Sequence, residues 1–159
     1  MSAKPTPVYP FQFQMVLGEL LEQNARYKLN VLDGQIKIDQ RQKDLDLAKA
    51  DLDQSGLHAQ FRLKALGKDI ESLNVSKTAL TIQKDSIRYR IEPLLERVLS
   101  FFDDIYFDFS NNRLPRSQYA NYLRAYKELL HQGNALGLEC YNKYPVINRI
   151  NSAIEKFIN

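Results

Sequence analysis

The chain has 159 residues, of which 44% are apolar and 26% charged, the balance of an ordinary soluble chain forming one domain or one compact base with an extension. Its net charge is +3, with 22 Lys and Arg interleaved among 19 Asp and Glu, so no single-sign field is set up to attract nucleic acid. Cys140 stands alone and cannot form an internal disulfide, no apolar run approaches the ~20 residues of a membrane span, and the N-terminal MSAKPTPVYPFQFQ lacks a signal-length apolar core. The expectation is an intracellular protein, soluble or part of an assembled particle.

Residues 1–10 carry Pro5, Pro7 and Pro10 and read as an extended lead-in, with Pro10 suited to the first turn of a following helix. From Leu17 a step of seven gives Leu17, Asn24, Val31, Ile38, Leu45, Leu52, Ala59, Leu66, Leu73, Leu80, Ile87, Leu94 and Phe101, and Asn24 is the only polar member. A sustained seven-residue repeat means helices wound about one another as a coiled coil. The companion row, offset by four, is apolar at its ends but holds Lys28, Gln35, Gln42, Lys49, Lys77 and Lys84 in between, so the seam is narrow. Asp33–Lys37, Asp39–Lys43 and Asp85–Arg88 flank it at helix-supporting spacings.

One helix from 17 to 105 would run about 130 Å at 1.5 Å per residue. The alternative is an antiparallel hairpin with its tip near 53–57, where Asp53-Gln54-Ser55-Gly56 is the best turn-like cluster. Folding there sets Leu45 opposite Leu66, Ile38 opposite Leu73 and Val31 opposite Leu80. Aromatic residues favour the hairpin. Between 28 and 100 there are only Phe61 and Tyr89, whereas Tyr9, Phe11, Phe13 and Tyr27 cluster before, and Phe101, Phe102, Tyr106, Phe107 and Phe109 after. Large rings fill thick cores, and a hairpin brings these two groups together.

The expected fold is therefore all-α: a coiled-coil hairpin arm over 11–109 whose seam is Leu17, Val31, Ile38, Leu45, Leu52, Leu66, Leu73, Leu80, Ile87 and Leu94. The N-terminal and C-terminal segments make a small aromatic-rich base. Pro93 should kink or restart the second helix just before Leu94. Over 110–159, Ser110–Pro115 reads as a loop, followed by a helix from roughly Ser117 to His131 and a last helix from near Pro145, all packing on the base.

Catalytic and metal chemistries find little support. His58 and His131 lack Cys or carboxylate neighbours at ligand spacing, and Cys140, between Leu138 and Tyr141, reads as a buried small hydrophobe. Asp103, Asp104 and Asp108 interleave with an aromatic face, as polar-out, apolar-in patterning requires. No phosphate loop or dinucleotide fingerprint occurs. The basic groups Lys84, Arg88, Arg90 and Arg113, Arg116 are thin beside a nucleic-acid footprint. The expectation is a protein without enzymatic activity, metal or cofactor.

Its partners are expected to be proteins, through self-association or a larger assembly such as a phage virion or secretion apparatus. Tyr119, Tyr122, Tyr126, Phe107 and Phe109 are the candidate interface, because the small base holds more rings than its own core needs. A chaperone or adaptor gripping a client by the arm is one alternative. A membrane-acting hairpin is another, opposed by the arm's dense charge and the lack of a strongly apolar face with a cationic rim.

Overall fold

A computed structural model describes residues 9–54 and 59–159, with side chains at 9–52 and 64–159. The lead-in at 1–8, the expected tip at 53–57 as a turn, His58 and the Ala59 side chain lie outside the described residues. The fold is all-α, as the periodicity implies, and no strand occurs among the described residues. In chain order the elements are α1 (Tyr9–Tyr27), a π-helical stretch (Lys28–Leu32), α2 (Asp33–Gln54), α3 (Ala59–Ser110), α4 (Arg116–Ala135), a 3-10 turn (Glu139–Asn142) and α5 (Val146–Ile158). Pro10 occupies the first turn of α1, where its missing N–H costs nothing. The chain divides into two compact units, one taking the residues up to Ala25 together with Arg88–Asn159, the other Arg26–Ile87.

The unit of Arg26–Ile87 is held by one apolar row. Ile38, Leu45 and Leu52 of α2 and Leu66 and Leu73 of α3 form a single buried cluster, with Ala48, Ile70 and Leu80 packed against it. Polar contacts also tie α2 to α3: Arg41 donates to Ser72 and Ser76, both at 3.1 Å, and Lys77 Nζ donates to Gln42 Oε1 at 2.7 Å. Leu80 is half-buried and lies against Gly34, where an added Cβ would come within 3.0 Å of its Cδ1. The bare backbone of Gly34 leaves room for the leucine side chain there. Lys28, Lys49, Lys77 and Lys84 of the companion row are exposed and stand outside the seam, whereas Ile70 packs against it.

The other unit has a thicker core. Phe13 and Leu20 of α1, Ile91, Leu95, Leu99 and Phe102 of α3, Leu123, Tyr126 and Leu129 of α4, and Tyr141 are all but fully buried. Here the seven-residue row fails. The buried positions of α3 pass from Ile87 to Ile91, Leu95, Val98, Phe102 and Ile105, leaving Leu94 and Phe101 half-buried. Two consecutive four-residue steps rotate the buried stripe away from the strict repeat, and spacings of three and four then follow the 3.6-residue period. The physical reason is the number of neighbours. This part of α3 meets rings of α1 (Phe13 against Phe101), α4 (Tyr126 against Phe102) and the Arg149 of α5, so it needs a broad face. Pro93 lies inside α3, whose span is unbroken, so the expected restart before Leu94 does not occur.

The helix ends of this unit are closed by local chemistry. After α3 the N–H of Arg113 bonds the Asp108 carbonyl at 2.8 Å and that of Asn112 the Phe109 carbonyl at 3.2 Å, with Asn112 left-handed at φ 58°. After α4, Leu138 N–H bonds Gly133 and Gly137 N–H bonds Asn134, with Gly137 at φ 66°. Both are Schellman closures, and they carry the two residue types that tolerate the left-handed position best.

Candidate functional site

The five aromatic residues expected to meet a partner separate into core and surface. Tyr126 is fully buried; its hydroxyl donates to the Val98 carbonyl at 2.7 Å, and its ring meets Phe13 and Phe102 edge-on. Tyr119 is also fully buried, stacked on Phe109 with centroids 4.1 Å apart and planes within 5°, and Phe157 closes edge-on over both. Tyr122 is half-buried between Tyr9 and Phe13. Tyr119 and Tyr126 are thus corrected from surface to core residues. Helical spacing of three and four put them on the face that this unit fills, and their rings supply its bulk. Phe107 alone of the five is well exposed, at 56%, with the Arg113 guanidinium 5.8 Å from its ring centre.

The groups considered for chemistry are dispersed. Asp103 pairs with Arg149 at 2.5 Å on the surface, Asp104 is exposed, and Asp108 is buried with Arg113 at 3.9 Å. Asp108 departs from the polar-out reading because the chain turns immediately after it and folds Arg113 back over the carboxylate. Its charge, after burial itself, helps to hold the Tyr9 phenol protonated well beyond the usual range. Cys140 is buried as expected; loss of hydration, then the nearby Glu92 carboxylate, push its thiol up. His131 is exposed. No group of three or more His, Cys, Asp or Glu that could hold a metal occurs among the described residues. Arg88 pairs with Glu92 at 3.9 Å, and Arg116 lies 5.3 Å over the Phe157 ring, so the sparse basic groups are partly engaged within the chain.

The surface carries two further features. On α3, Val75 and Ile82 are 70% and 65% exposed, seven residues apart on the side opposite the buried Leu66–Leu73 row. Leu29 of the π-helical stretch and Ile36 and Leu47 of α2 are exposed as well. The second feature is an open cleft of about 540 Å³ in the aromatic unit, between the end of α3, α4 and α5. Its walls include the rings of Phe102, Tyr106, Phe109, Tyr119 and Phe157, with Arg149, Ser152 and Lys156 presented by α5. The rings were visible in the sequence. The cations and the serine were not, because only the docking of α5 through Ile147, Ile150 and Ile154 turns its polar side towards them.

Among the described residues, no helix is long and apolar enough to cross a membrane. No family model, no curated protein and no solved structure matches this chain.

Proposed function

We propose that this is a non-enzymatic structural or assembly protein, in which a coiled-coil pair of helices bridges or braces subunits of a larger complex and the aromatic-rich unit docks into it. The observation that carries the reading is the exposed row on α3. Val75 and Ile82 repeat at seven residues on the face turned away from a seam that is already filled. Aliphatic groups at that spacing suit a second layer of helices, with Ala79 between them short enough for close approach. The aliphatics Leu29, Ile36 and Leu47 extend the same argument to the π-helical stretch and α2.

Light scattering coupled to size-exclusion chromatography tests this, with small-angle X-ray scattering on the same peak. The expected result is a defined oligomer that the double variant Val75→Glu, Ile82→Glu converts to monomer without loss of helix content. A wild-type monomer at every attainable concentration would overturn self-assembly and favour the adaptor or chaperone reading.

A further inference from the structure

The cleft beside α5 joins two chemistries, an aromatic wall and a pair of cationic side chains. Its apolar wall is built of rings, among them the Phe109–Tyr119 stack with Phe157 edge-on. Its other wall is cationic. The Arg149 guanidinium lies 5.5 Å from the Phe102 ring centre and 5.9 Å from that of Tyr106, and Lys156 Nζ lies 5.4 Å from that of Phe157. The Asp103 carboxylate, bonded to Arg149 through a single guanidinium nitrogen, is largely exposed. An exposed pair of this kind is weakly held and exchangeable, and the remaining guanidinium donors are open to another acceptor.

A third observation points the same way. The Tyr119 hydroxyl is buried and meets no hydrogen-bond partner among the described residues. Tyr119 lines this cleft together with Tyr106 and Arg149, whose side chains are about half exposed. Buried hydroxyls are ordinarily paired, and a carboxylate held by Arg149 would offer the missing acceptor after a rotation of either side chain.

We infer that this cleft docks an acidic segment of a partner protein, one large apolar side chain entering among the rings and a neighbouring carboxylate lying between Arg149 and Lys156. The volume is within the range of ligand-sized clefts and suits one or two side chains rather than a whole helix. Aromatic anchors beside arginine are the composition of binding hot spots. The inference rests on the assembly reading and gives the partner its chemistry.

The test is fluorescence anisotropy on the full chain with labelled peptides Gly-Asp-Asp-Xaa-Asp-Gly, in which Xaa is Phe, Tyr or Leu. At least one should bind saturably, and replacing its Asp by Asn, or Xaa by Ala, should abolish binding. Arg149→Ala and Lys156→Glu should each weaken it by about tenfold or more, as expected for a charge-assisted contact. Tyr119→Phe should weaken it by a smaller factor while leaving helix content and melting unchanged or improved, which a merely structural hydroxyl would not do. Saturable binding by none of the three peptides, or binding indifferent to Arg149 and Lys156, would overturn the inference. So would binding of phenylacetate alone, which would make the cleft a small-acid site. Light scattering keeps the two ideas apart: an intact oligomer that ignores the peptides sinks only the cleft, whereas a monomer that binds them sinks only the bracing role.

Discussion

Gly133 shows how closely single positions are determined in the aromatic unit. A Cβ there would overlap Cδ1 and Cγ of the Tyr141 ring, and that ring is anchored by its hydroxyl, which donates to Asn24 Oδ1 at 3.0 Å. Asn24 is the one polar member of the seven-residue row, and it is buried together with its partner. The polar interruption is thus a specific hydrogen-bonded junction between α1 and the 3-10 turn. Gly133→Ala should displace Tyr141 and cost about 1–3 kcal/mol, the usual range for overpacking a filled core. Urea unfolding monitored by circular dichroism would measure it, and a variant as stable as the parent would mean that Tyr141 has room to move. The buried phenols make a second prediction. Burial first of all pushes Tyr119 up to about 12 and raises Tyr126 and Tyr141 as well. In the unfolded chain these groups ionise near pH 10. Below that value their contribution to stability is complete; it falls as pH rises from about 10 towards the folded-state values, because only the unfolded chain gains by ionising. Tyrosinate absorbance from these residues should therefore appear together with loss of helix, and its completion before any loss of ellipticity would contradict their burial.

At the scale of elements, α3 serves two packing regimes on one helix. Up to Ile87 it offers a narrow row to a single partner helix; beyond Ile91 it offers a broad face to several neighbours. Pro93 stands near the change, exposed, inside a helix that continues past it. A helix-interior proline forfeits a hydrogen bond and crowds the carbonyl four residues earlier, at a cost of about 3 kcal/mol. Since Pro93 is exposed and its ring contributes little to the core, Pro93→Ala should raise stability by up to about 3 kcal/mol, read as a higher urea midpoint. An unchanged or lowered midpoint would indicate that α3 is already relieved around the proline. The periodicity made the first regime legible, because one partner helix imposes one period. The second was hidden, since Leu94 and Leu95 are adjacent and equally apolar, and only the arrangement of α1, α4 and α5 selects Leu95.

For the whole molecule, the division into two units raises the question of whether they lose structure together. Cys140, buried in the aromatic unit with its thiol pushed up, reports on that unit alone. Thiol labelling of the native protein should be slow and governed by opening of that unit. Gly133→Ala should speed labelling, whereas Leu73→Ala, which removes a buried leucine from the other unit at a cost of about 2–5 kcal/mol, should leave it nearly unchanged. Equal acceleration by both variants would show that the chain unfolds as one cooperative body. The sequence alone determined the all-α class, the row from Leu17 to Ile87 and the aromatic clusters, since hydrophobic period and ring distribution are properties of the linear chain. Which rings became core, where the buried stripe left its seven-residue step, and the meeting of Arg149 and Lys156 with an aromatic wall were decided by tertiary structure alone. These features depend on which helix faces lie against one another, and residues such as Asp103 and Arg149, separated by 46 positions, carry no local sign that they will meet.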